Sequence, residues 1–135
     1  MATKTTEKYI EGIGRRKESV ARVRITPSKK ASLTVNDKNL DEYFKTENLQ
    51  NIAQAAFNDI ELEQKFTVTA KIKGGGTNSQ AESLRLGTAR ALVEFNAELR
   101  GGLKKLGYMK RDPRVVERKK FGLKKARKAA QWSKR

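Results

Sequence analysis

Between Arg100 and Arg135 the chain carries 15 Lys and Arg residues against two acids, Asp112 and Glu117. Charges of one sign repel, and ionised side chains are almost never buried unpaired, so this stretch cannot supply a conventional core. It calls for a polyanion. The preceding 99 residues hold 16 basic and 13 acidic groups, close to balance. A nearly neutral body followed by a cationic segment is therefore the expected organisation, and 135 residues suit one domain. The expected division is 1–8 disordered or extended, a globular body over 9–107 and an extended basic tail over 108–135.

Two absences narrow the chemistry. With no Cys and no His, disulfides, thiolate or imidazole metal sites, Cys nucleophiles and Ser–His dyads are excluded. No metal, cofactor or catalytic residue is expected. No apolar stretch approaches the roughly 18 residues of a membrane span. The opening MATKTTEKYI lacks an apolar segment, and Glu7 and Glu11 argue against a transit peptide. A soluble intracellular protein that touches no membrane is the expectation. Asp41, Glu42, Asp59, Glu61 and Glu63 read as a solvated face, since no second signal of acid–base chemistry accompanies them.

The body reads as mixed α and β. Strands are expected at 9–13 and 18–26. In the second, Ser19, Ala21, Val23 and Ile25 share one face while Val20, Arg22 and Arg24 share the other. Ala31 to Val35 suggests a short strand, and Asn36-Asp37 a turn. Asn39 and Glu42 have capping-box spacing for a short helix through Phe44. Helical spacing of Leu49, Ile52, Ala53, Ala56, Phe57 and Ile60 predicts an amphipathic helix over 48–59. Phe66 to Lys73 alternates strictly and predicts a strand, ended by Gly74-Gly75-Gly76. Ser79 with Glu82 forms a second capping-box pattern, opening a helix from about 80 to 97. Its apolar arc, Leu84, Thr88, Ala91, Leu92 and Phe95 widened by Leu86, Ala89 and Val93, implies burial against a sheet. Gly87 costs about 1 kcal/mol inside a helix, so close backbone approach is its expected reason. Gly101-Gly102 is expected to break that helix, with Leu103 to Leu106 adding a turn or two.

Past Gly107 the periodicity dissolves. The blocks Lys110-Arg111, Arg118-Lys119-Lys120, Lys124-Lys125, Arg127-Lys128 and Lys134-Arg135 are interspersed with Tyr108, Phe121 and Trp132. Lys and Arg neutralise phosphates, and aromatics stack on unpaired bases. Arg15, Arg16 and Lys17 look like a basic turn between the first two strands, and with a tail of the same sign they are expected to contact an RNA backbone. Lys73 with Gly74, Gly75 and Gly76 could offer backbone N–H groups to a phosphate at a helix start. That loop has neither the P-loop order nor GxGxxG, and a plain flexible turn competes with this reading.

Three segments, GIGRRKESVARVRI (12–25), IKGGGTNSQAESLRLGTARALVEFN (72–96) and the run from Leu103 to the terminal Ser-Lys-Arg, resemble the bacterial form of the family of the ninth small-ribosomal-subunit protein. The likeness covers about Tyr9 to Arg135, although residues 28–31, Ser-Lys-Lys-Ala, depart from a glycine-rich loop. The resemblance implies an α+β body in the head of the subunit, with a mixed sheet, packed helices and a left-handed βαβ crossover. It implies a C-terminal extension that threads through ribosomal RNA toward the peptidyl-site tRNA. It places Arg111, Arg114, Arg118, Lys119, Lys120, Lys124, Lys125, Arg127 and Lys128 along that RNA, with Trp132 beyond. It puts Ser133, Lys134 and Arg135 at the tRNA anticodon stem-loop. Neighbouring ribosomal proteins are the other implied partners, and the cytoplasmic ribosome the location. Two competing readings are a general nucleic-acid compaction protein and an ATP-using enzyme, since small-molecule kinases share the family fold.

Overall fold

The computed structural model describes residues 9–60, 62 and 64–131. Its fold is α+β, with five strands in one mixed sheet of order β1-β2-β5-β3-β4. Strand β1 (Ile10–Arg16) turns through Lys17-Glu18 into β2 (Ser19–Ser28), antiparallel, with Gly14 opposite Ala21. Lys17 takes φ 52° to close this tight turn. Strand β3 (Ser32–Val35) turns through Asn36-Asp37, both at positive φ, into the short β4 (Lys38–Asn39). Helices α1 (Leu40–Tyr43) and α2 (Glu47–Asn58) lead into β5 (Lys65–Lys73). β5 lies antiparallel to β2 and parallel to β3, so β3, the intervening helices and β5 form a βαβ unit. Helix α3 (Thr77–Phe95) and the short α4 (Leu99–Lys105) follow.

Period-two alternation decides which face is covered. Ala21, Val23 and Ile25 of β2 and Phe66, Val68, Ala70 and Ile72 of β5 are buried beneath the helices. α3 adds Leu84 and Leu92, both fully buried, each contributing about 1.5–3 kcal/mol of apolar transfer. Phe66 meets Phe95 edge-on at 5.0 Å between ring centres. Pro27 falls where β2 has lost β1 as a neighbour: the β1 pairing ends at Ile10–Ile25, and only β5 continues alongside.

Three glycines let α3 lie directly on β1. A Cβ on Gly12 would come within 2.7 Å of the Ala91 nitrogen, and one on Gly14 within 2.9 Å of the Ser83 carbonyl carbon. A Cβ on Gly87 would meet Val23 Cγ2 at 2.8 Å. The close approach expected of Gly87 is therefore real, and Gly12 and Gly14 are its counterpart in the strand.

Several expectations are corrected. The side chains of Asn39 and Ser79 cap nothing: α3 begins at Thr77 behind Gly76, and Ser79 is its third residue, buried within the first turn. Packing overrides the capping pattern, because this turn of α3 faces the core, where Ser19 Oγ and Ser83 Oγ lie 3.0 Å apart. Gly101-Gly102 does not break α3. The helix ends at Asn96, whose side-chain oxygen accepts the Glu98 N–H at 3.1 Å, and both glycines lie inside α4. The end of α4 is set by Gly107 at φ +81°, with Tyr108 N–H bonded to Leu103 C=O and Gly107 N–H to Lys104 C=O. That is the Schellman pattern. Residues 111–131 form no helix or strand; one isolated bridge joins Leu123 and Ala129.

Candidate nucleic-acid interface

A polar chain fixes the glycine loop. Asn36 continues the β3–β5 ladder with its side chain: Nδ2 donates to Ile72 C=O and Oδ1 accepts from Ile72 N–H, both at 3.0 Å. Asn36 Nδ2 also donates to the Tyr43 hydroxyl, 3.3 Å away, which donates to Gln80 Oε1 at 2.6 Å. Gln80 Nε2 in turn donates to Gly74 C=O at 3.1 Å. On its other side the loop rests on the β1–β2 turn, where a Cβ on Gly74 would lie 2.5 Å from the Glu18 carbonyl oxygen. Gly74 and Gly75 both take positive φ, which L side chains adopt only with strain. The loop is thus a braced glycine turn between Lys73 and the start of a 19-residue helix, with no side chain capping that helix. Lys17, Glu18, Gly75, Gly76, Thr77 and Asn78 line one cleft at this point, so an acid stands beside the lysine.

The three cations expected in one turn part company. Arg15 is exposed on β1 and Lys17 is exposed in the turn. Arg16 is 8% exposed and turned inward, because β1 continues through it and pairs it with Ser19. Its guanidinium donates to Glu82 Oε2 at 2.5 Å and to Arg114 C=O at 2.7 Å, and Asp112 approaches at 3.5 Å. Asp112 is also held by Arg114, whose Nη2 lies 2.7 Å away. Hydrogen bonds and charge from Arg114, with the charge of Arg16, keep the Asp112 carboxyl well below the usual carboxylate range. Arg16 is therefore a clamp on the root of the basic segment, gripping residues nearly a hundred positions away. No local sequence pattern carries that information.

Tyr108 anchors the same root. Its hydroxyl donates to Asp59, and Arg85 stacks over its ring at 4.8 Å. The Asp59 bond, with some burial, pushes the Tyr108 phenol above its ordinary value. Asp59 thus has a partner rather than only solvent, and Tyr108 packs on the body rather than standing free for bases.

Beyond this root Arg111, Arg114, Arg118, Lys119, Lys124, Lys125, Arg127 and Lys128 are exposed, Lys120 half-buried and Phe121 fully exposed. Lys120 and Arg127 both pair with Glu117. Trp132, Ser133, Lys134 and Arg135 lie outside the described residues, as do residues 1–8 with the disorder expected of them. No cluster of Asp and Glu suited to a metal occurs among the described residues, and no helix of the described residues is long and apolar enough to cross a membrane.

An α+β body followed by a run of mostly exposed cations has the make-up of a structural nucleic-acid-binding protein. A family model described as Ribosomal protein S9/S16 matches residues 14–135, and the chain belongs to that family. It is a structural protein of the small ribosomal subunit, of a non-enzymatic kind, that binds ribosomal RNA alongside other ribosomal proteins in translation.

Proposed function

We propose that the protein works as a body with a probe: residues 9–107 seat on ribosomal RNA, and 108–135 run into the RNA interior toward the peptidyl-site tRNA of a cytoplasmic ribosome. The observation that carries this is the one-signed segment, 15 cations against two acids from Arg100 onward. In 111–131 that charge sits on chain with no helix or strand to bury it. Twenty-seven residues from Met109 onward reach at most about 90 Å when extended, at about 3.3 Å each. Arg111, Arg114, Arg118, Lys119, Lys120, Lys124, Lys125, Arg127 and Lys128 neutralise phosphates along the path, and Trp132 stacks near its end. Arg15, Lys17, Lys73 and the backbone N–H groups of Gly74, Gly75 and Gly76 hold phosphate at the body. Arg16 serves by directing the segment. Ser133, Lys134 and Arg135 meet the tRNA backbone by charge-assisted hydrogen bonds, which position without reading sequence.

The test is removal of Ser133-Lys134-Arg135. The other 29 of 31 cations remain, so incorporation into subunits should be normal. Peptidyl-site tRNA should dissociate faster, to a similar degree for all tRNA species, and Arg135→Lys should be milder because only the guanidinium fork is lost. Normal incorporation with unchanged tRNA dissociation would leave a purely architectural protein.

A further inference from the structure

The helices cover one face of the sheet only, and the other is cationic. Arg15 on β1, Arg22 and Arg24 on β2, and Lys71 and Lys73 on β5 alternate with the buried core residues and are exposed. Arg22 stands directly opposite Lys71, a like-charge cross-strand pair that weakens a sheet. One acid, Glu11, serves both arginines, 3.1 Å from Arg22 Nε and 3.9 Å from Arg24 Nε. Among the described residues no ion pair involves Arg15, Lys71 or Lys73. Asp37 joins Arg22, Arg24 and Lys71 around a small cleft that Thr34 and Thr69 also line, so the patch keeps a positive excess. Strands about 4.8 Å apart, with same-face residues about 6.6 Å apart along each, bring the five cations within a few phosphate spacings.

We infer that this open sheet face continues the RNA contact made at Arg15 and Lys73 across Arg22, Arg24 and Lys71, taking the phosphate backbone of a double helix. The inference rests on the family's RNA binding and not on the tRNA reading. The cross-strand pair is the telling feature: the fold gains nothing from Arg22 against Lys71, whereas a bound polyanion turns their repulsion into shared attraction. The duplex follows from what the face lacks. Its nearby aromatic, Tyr9, stands at the edge of the sheet with one ring face already stacked by Arg24 at 4.4 Å, and the strands themselves present no ring on this face to stack unpaired bases. Guanidinium, ammonium and threonine hydroxyl groups are donors suited to phosphate and sugar oxygens.

The test uses the full chain with Arg22→Gln and Lys71→Gln together, and a matched control, Lys104→Gln with Lys105→Gln on α4. Affinity for small-subunit ribosomal RNA is measured across salt concentrations. Each lost phosphate contact should lower the log–log salt slope by about 0.7–0.9, hence by about 1.4–1.8 for the pair. At about 0.1 M salt that corresponds to roughly 25–60-fold weaker binding. The melting temperature is read alongside: relief of the Arg22–Lys71 repulsion offsets loss of the Arg22–Glu11 pair, so it should stay close to that of the parent and the loss cannot be ascribed to unfolding. A short RNA duplex should compete better than an unpaired oligonucleotide of equal charge. Unchanged affinity and slope would overturn the inference, and so would an equal loss in the α4 control, which would mean bulk charge alone. Normal RNA binding with lost association to a neighbouring subunit protein would assign the face to an acidic protein surface instead. Peptidyl-site tRNA dissociation is read separately, so failure here and failure of the tail reading are distinguishable.

Discussion

Substituting Gly14 by alanine should unfasten α3 from the sheet. The added Cβ would sit 2.9 Å from the Ser83 carbonyl carbon, nearer still to its oxygen, and close to the Gly87 nitrogen. Ordinary Cβ contacts begin at 3.4 Å, and all three neighbours are backbone, so no side chain can swing aside. The Ser83 oxygen is the nearest of the three, so the helix must lift by about an ångström along a stretch where Leu84, Ala91 and Leu92 are fully buried. Overpacking of this kind costs about 1–3 kcal/mol, and backbone obstruction puts it at the upper end. Alanine returns at most about 1 kcal/mol of backbone entropy. The net loss is about 2 kcal/mol, which for a body of this size lowers the melting temperature by about 8–16 °C. Gly101→Ala is the internal reference: it lies within α4, nothing stands within 4 Å of the new methyl, and it should stabilise by about 0.5–1 kcal/mol. Thermal unfolding by far-ultraviolet circular dichroism reads both. If Gly14→Ala melts within about 2 °C of the parent, the glycine contact between strand and helix is not what sets the layer spacing.

Two further outcomes follow from the root of the basic segment. Glu82→Gln removes the carboxylate 2.5 Å from Arg16 and should expose the chain around Arg111 to Arg118, read as faster tryptic cleavage there with little change in the melting of the body; unchanged cleavage would mean the clamp does not hold. The Tyr108 phenol is raised, so the stability it contributes is fully present below the ordinary tyrosine pKa of about 10 and is lost as pH climbs through its higher folded value. A phenolate absorbance titration should show one late-ionising tyrosine that disappears in Tyr108→Phe, and its persistence in that variant would reassign it.

Legibility in the sequence followed the range of the forces. Alternation over Phe66 to Lys73 and helical spacing over 48–59 are local, and both elements stand within a residue or two of expectation. The burial of Leu84, Ala91 and Leu92 was written in the width of their arc. The failures share a cause. Ser79 has the right residue type for a cap, but the core claims it; Gly101 and Gly102 have the wrong type for a helix, but Asn96 ends α3 first. Arg16 reads as one of three equivalent cations until Glu82 and Asp112 are brought to it from 66 and 96 positions away. The cationic sheet face was half visible, since Arg22 and Arg24 were seen to share a side. That Lys71 lies across from Arg22 is a matter of register, which alternation alone does not give.

The Arg16 clamp also orders events in time. A chain made from its N-terminus lays down Arg16 early, yet the partners of that side chain are Glu82, Asp112 and the Arg114 carbonyl. Until Arg114 has left the exit tunnel, β1 carries a guanidinium aimed inward with its set of partners incomplete. Closure therefore falls after α3 and α4 have been made and Arg114 is free. The body thus gains its hold on the root of the basic segment only when almost all of the chain has been made.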